Sequence, residues 1–130
     1  MGDNQRTKTI LIVDDQPEVL RLYSRGLEVS GHRVITAETV ELGMQLVDAA
    51  PPDAVLVDLK MPYVNGMGML YRLRQSHPLL PVAIITGMQN LDKETLQEIT
   101  LLGATVHYKP LSIVQIQRIV EELLARTPQE

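Results

Sequence analysis

The sequence predicts an α/β fold: an open, doubly wound, parallel sheet of five strands with helices on both faces. Three observations predict it. Five short apolar runs alternate with five segments in which apolar residues recur at helical spacing. Three of the runs, at 9–14, 54–58 and 82–86, lack polar alternation, as strands covered on both faces do. Finally, the strand–helix–strand crossovers force parallel pairing with one consistent hand.

Residues 1–8 read as a flexible leader. TILIVD at 9–14 is the first strand, and Gln16 to Gly31 the first helix, with Val19, Leu22, Tyr23 and Leu27 on its apolar face and Gly31 as its stop. HRVIT at 32–36 is a short, more polar strand suited to a sheet edge. Residues 39–49 form a helix closed by Pro51 and Pro52. AVLVD ends at Asp58 and is followed by a helix at 66–76, which Gly68 weakens by about 1 kcal/mol relative to alanine. VAIIT ends at Thr86, and a helix at 92–102 stops at Gly103. ATVHY at 104–108 is the last strand. The last helix, 112–125, carries Ile113, Ile116, Val120 and Leu123 on one face. One domain therefore spans 9–125, and 126–130 is a polar tail or the start of a linker. The three most apolar strands belong at the centre, and fold analogy gives the flavodoxin-like order 2-1-3-4-5.

Composition excludes several functions. A chain of 130 residues with 45% hydrophobic residues has one ordinary core. Without cysteine there is no disulfide, thiolate nucleophile or cysteine-based zinc site. The net charge of -4 comes from residues 1–65, where six Lys/Arg face ten Asp/Glu. Such a balance argues against direct nucleic-acid binding. No apolar run approaches the roughly 18 residues of a membrane span, and no secretory signal is visible, so a cytoplasmic location is expected. The turn after the first strand, DDQPEV, has none of the glycines of a dinucleotide site. His32, His77 and His107 show no metal-ligand spacing.

Ligands of such sheets bind beyond the carboxyl ends of the strands. Here those ends are Asp14-Asp15, Asp58 and Thr86-Gly87, and Lys109-Pro110 follows the last strand. Clustered carboxylates repel, and a hard divalent cation relieves the repulsion, with lysine as a positive charge opposite. Plainer roles exist for each residue: Asp15 as a helix cap ahead of Glu18, Thr86 capping the next turn, Lys109 as a solvated side chain. Their convergence on one edge favours a shared site.

The ordered pieces ILIVDD (10–15), DLKMPYVNG (58–66), ITG (85–87), LGA (102–104) and KP (109–110) resemble the receiver domain of bacterial two-component response regulators. The resemblance implies that Asp58 accepts a phosphoryl group. It implies Mg²⁺, with Mn²⁺ able to substitute, held by Asp14, Asp15, Asp58 and the backbone carbonyl of Lys60. Thr86, Gly87 and Lys109 would bind the phosphoryl group, and the bond before Pro110 would be cis. The donor would be a sensor histidine kinase or a histidine phosphotransfer protein, and the output a change in contacts with a downstream effector domain or protein, with slow self-dephosphorylation. A weak or phosphorylation-dependent homodimer is a further expectation. One departure stands out. The family's switch aromatic falls at Val106 here, and the segment from Gly103 to Lys109 is one residue short, which leaves His107 and Tyr108 as substitutes. The rival reading is a degenerate receiver that binds partners without phosphorylation.

Overall fold

Backbone hydrogen-bond chemistry at the element ends sets the boundaries in the computed structural model, which describes residues 7–59, 66–88 and 91–126. In chain order the elements are β1 (Thr9–Val13), α1 (Pro17–Val29), β2 (Arg33–Ala37), α2 (Val40–Ala49) and β3 (Ala54–Asp58). Then come α3 (Gly66–Ser76), β4 (Val82–Thr86), α4 (Lys93–Leu101), β5 (Thr105–Tyr108) and α5 (Ile113–Ala125). All five strands pair in parallel in the order β2-β1-β3-β4-β5. The predicted fold class and strand order are both found.

Several boundaries move by a residue because a side chain claims the end. Thr39, Asp92 and Ser112 accept from Leu42, Thr95 and Gln115 amides at 3.1, 2.7 and 3.1 Å, so α2, α4 and α5 each begin one residue later. Gln115 returns the bond to the Ser112 amide at 2.8 Å and completes a capping box. Gln16 caps α1 through its backbone alone, with Pro17 in the first helical position, so Asp15 is not the cap. Gly31, at φ +95°, ends the helix, and the His32 amide bonds back to the Leu27 carbonyl. His32 therefore belongs to the turn rather than to β2.

Two apolar layers sandwich the sheet. Val13, Val57 and Ile84 point to one face and pack under α2, α3 and α4. Ile12, Leu56 and Ile85 point to the other, under α1 and α5. The α1 face differs from the predicted stripe. Leu20, Tyr23 and Leu27 are buried, whereas Leu22 is 46% exposed. Spacings of three and four keep residues on one side of a helix, and Leu22 lies about 200° round from Leu20. Packing of α1 on α5 depends on Gly26: a Cβ there would lie 2.8 Å from Ile113 Cγ2. No helix among the described residues is long and apolar enough to cross a membrane.

Candidate functional site

Strand register gathers the site. Val13 stands opposite Val57 in the β1–β3 ladder, so Asp14 and Asp58 leave adjacent strands at the same level. Side chains alternate along a strand. Asp14 and Asp58 continue the row of Ile12 and Leu56 on the α1/α5 face, and Lys109 continues the row of Thr105 and His107 on that same face. Thr86 faces the other way, in the row of Ile84, and stands opposite Tyr108. Parity thus separates a charged group on one face from a hydroxyl–phenol pair on the other.

The charged group is tightly made. Asp14 and Asp58 are 2% and 5% exposed. The Lys109 ammonium donates to Asp14 Oδ2 at 2.9 Å, to Gln16 Oε1 at 3.1 Å and to Asp58 Oδ2 at 3.5 Å. Asp14 Oδ1 accepts the Gln16 amide at 2.9 Å, which fixes its carboxylate plane. Lys109 is therefore no solvated lysine. Burial pulls its pKa down, but the Asp14 bond and the charges of Asp14 and Asp58 outweigh this and hold it above the ordinary value. Its amide donates to the Thr86 carbonyl at 2.8 Å, and the bond to Pro110 is cis, as expected.

Asp15 completes the cluster from a more open position. One oxygen from each of Asp14, Asp15 and Asp58 lies within 4.8 Å of the others. Three carboxylates against Lys109 leave two negative charges, a donor set that fits one hard divalent cation. Lys60, the fourth predicted ligand, and Met61 and Pro62 lie outside the described residues.

The phosphoryl-binding candidates sit beside this cluster. Thr86 is fully buried, and its Oγ1 accepts the Met88 amide at 3.0 Å, so it does cap the following turn in this state. A Cβ on Gly87 would meet nothing within 4 Å, so the backbone there borders open space. Gly66 is pressed against β3: a Cβ there would lie 2.8 Å from the Asp58 carbonyl oxygen.

The three switch candidates are now distinguishable. Val106 packs into the α2/α3/α4 layer. His107 turns to the α5 side, bonded to Thr105 Oγ1 at 2.9 Å, with its pKa lowered by burial against the opposing charge of Glu122. Tyr108 lies on the Thr86 face, 41% exposed.

Two residues escaped the sequence reading. The pattern predicts Gln16 only as the start of the helix, yet its side chain reaches Lys109. The helical spacing predicts Tyr23 as a core residue only. Its phenol pKa is raised chiefly by burial, but it also lies in the field of Lys109, Asp14 and Asp58.

Comparison with known proteins converges on one family. The model for the response regulator receiver domain matches residues 10–121. The probable transcriptional regulatory protein TcrX of Mycobacterium tuberculosis is 29% identical over 119 residues, which cover 92% of this chain and 50% of TcrX. Sporulation initiation phosphotransferase F of Bacillus subtilis is 33% identical over 116 residues, covering 88% of this chain and 92% of that protein. The receiver domain of NtrX from Brucella abortus superposes with a TM-score of 0.81 at 27% identity, covering 89% of this chain and 98% of that one. The chain spans about half the length of curated relatives such as TcrX.

Proposed function

The chain belongs to the response regulator receiver domain family, with a role in phosphotransfer signalling, and from that premise we propose that Asp58 is its phosphoacceptor. A carboxylate oxygen of Asp58 attacks phosphorus of a phosphohistidine on a sensor histidine kinase or histidine phosphotransfer protein. The nitrogen–phosphorus bond breaks, the imidazole leaves with the donor, and an acyl phosphate forms on Asp58. Water later cleaves it slowly.

Lys109 accompanies the transfer, its ammonium close enough to Asp58 to offset charge on the transferring oxygens. Asp14, Asp15 and Asp58, with the backbone carbonyl of Lys60, would hold Mg²⁺ or Mn²⁺. Bound there, the ion supplies charge neutralisation at the phosphoryl oxygens. The open space at Gly87 admits the group. Thr86 exchanges its bond to the Met88 amide for one to a phosphoryl oxygen. Tyr108, opposite Thr86 and exposed, carries that change to the α4 surface, in the place that Val106 leaves without an aromatic ring. Downstream, the domain contacts an effector domain or protein and does not itself bind nucleic acid.

The observation that carries this reading is Lys109 between Asp14 and Asp58, beside a three-carboxylate cluster. Intact-mass measurement after incubation with Mg²⁺ and acetyl phosphate tests it. The expected result is a gain of one phosphoryl group, absent in Asp58→Asn and suppressed by chelation. A folded wild type that gains no mass under these conditions overturns the reading and returns the degenerate receiver to first place.

A further inference from the structure

The Lys109 ammonium has three N–H donors and three acceptors around it. Asp14 and Asp58 belong to the charged cluster, but the third acceptor, Gln16 Oε1 at 3.1 Å, does not. Gln16 is fixed at both ends. Its amide donates to Asp14 Oδ1 at 2.9 Å, and its side chain accepts from the lysine that Asp14 Oδ2 also holds at 2.9 Å. Asp14, Gln16 and Lys109 thus form a closed ring on the Asp14 side of the site, while the contact to Asp58 is the longest of the three, at 3.5 Å. Pro17, in the first helical position, restricts the backbone just after Gln16 and keeps the ring in place.

We infer that Gln16 is a positioning residue, which tethers Lys109 on the Asp14 side of the resting site and so opposes entry of both the cation and the phosphoryl group. The inference rests on the phosphoacceptor reading. Its physical content is a competition. A divalent ion needs the Asp14 carboxylate that Lys109 occupies, and a phosphoryl oxygen on Asp58 needs the ammonium itself. Each must draw Lys109 from the ring. A carboxamide strengthens the ring without adding negative charge that would attract the ion, a combination that glutamate in its place would not give.

The test is a double-mutant cycle read by calorimetric titration with Mg²⁺ on wild type, Gln16→Met, Lys109→Met and the double variant. Gln16 makes no side-chain cap to α1, so its replacement leaves the helix intact, which melting curves verify. Gln16→Met is expected to bind Mg²⁺ about 3- to 10-fold more tightly, the range that the net contribution of one ordinary hydrogen bond gives. In the Lys109→Met background the same change is expected to do nothing. With acetyl phosphate, Gln16→Met labels faster than wild type at limiting Mg²⁺, and the two rates converge towards saturation. An unchanged affinity, or an equal gain in both backgrounds, overturns the tether while leaving the phosphoacceptor reading in place. A wild type that binds no Mg²⁺ overturns both.

Discussion

Tyr108 stands directly opposite Thr86 in the β4–β5 ladder, on the sheet face that carries α4. The neighbouring His107 points to the other face, where α5 lies. α4 is thinly anchored: Ile99 is its one fully buried residue, and the Tyr71 hydroxyl links it to α3 by donating to Glu98 at 2.6 Å. An element so held is suited to respond to a change beneath it. Tyr108→Ala is therefore expected to leave labelling of Asp58 intact but to shrink the phosphorylation-dependent change in the opening free energy of α4 by about 0.5–2 kcal/mol. Amide hydrogen exchange with and without an acyl-phosphate mimic measures this. His107→Ala should keep the full response, and the assignment is wrong if the two variants behave alike.

The acidic cluster carries two surplus negative charges, and if it takes up Mg²⁺ as proposed, stability should depend on that ion. At Mg²⁺ about tenfold above its dissociation constant, linkage gives about 1.4 kcal/mol, or a rise in melting temperature on the order of 5 °C. Asp15→Asn removes one repelling charge and one ligand together. It should melt higher than wild type in chelator and show less than half of the magnesium shift. Thermal melts of both proteins, with chelator and with Mg²⁺, check the sign of each effect. Equal magnesium shifts in the two proteins would exclude Asp15 as a ligand.

Much of this site could be read from the chain because parallel strands place all their carboxyl ends on one edge. Asp14, Asp58, Thr86 and Lys109 needed only strand ends and chain order to be brought together, and the register of Val13 with Val57 completes that logic. Face assignment was harder. Parity divides Val106, His107 and Tyr108 only once the ends of β5 are known, and a shift of one residue exchanges the faces. Gln16 lay beyond reach for a different reason. Its bond to Lys109 joins residues 93 positions apart through two flexible side chains, and periodicity carries no information about rotamers. Leu22 shows the same limit within one helix, since a leucine near the apolar stripe is not necessarily on it.

Gly66 and Gly87 flank the acceptor but should respond oppositely to a methyl group. A Cβ on Gly66 would meet two backbone atoms, the Asp58 carbonyl oxygen at 2.8 Å and Leu59 Cα at 2.9 Å, and neither yields without moving the acceptor. Gly66→Ala is expected to destabilise the protein by about 1–3 kcal/mol. It should also slow labelling of Asp58 on the order of tenfold or more, because the nucleophile is displaced. A Cβ on Gly87 meets nothing within 4 Å, so Gly87→Ala should lie within about 0.5 kcal/mol of wild type. Urea denaturation and labelling rates of the pair settle the matter. A Gly66→Ala protein with native stability and native labelling would show that the close approach constrains nothing.

His107 gives the domain a pH dependence of predictable sign. Burial holds its pKa below the ordinary 6.5 despite the Glu122 carboxylate, so the folded protein keeps it neutral where the unfolded chain begins to take up a proton. Stability from this source is complete above about pH 6.5 and declines as the pH falls towards the folded value, because the unfolded state then binds more protons. A glutamine can still accept from or donate to Thr105 but cannot titrate, so His107→Gln should flatten this part of the profile. Wild type should therefore lose more melting temperature than His107→Gln between about pH 7.5 and 5.5. His32, His77 and the carboxylates are common to both proteins and cancel in the comparison. Identical slopes for the two would mean that Glu122 compensates fully for burial and that His107 folds with its charge intact.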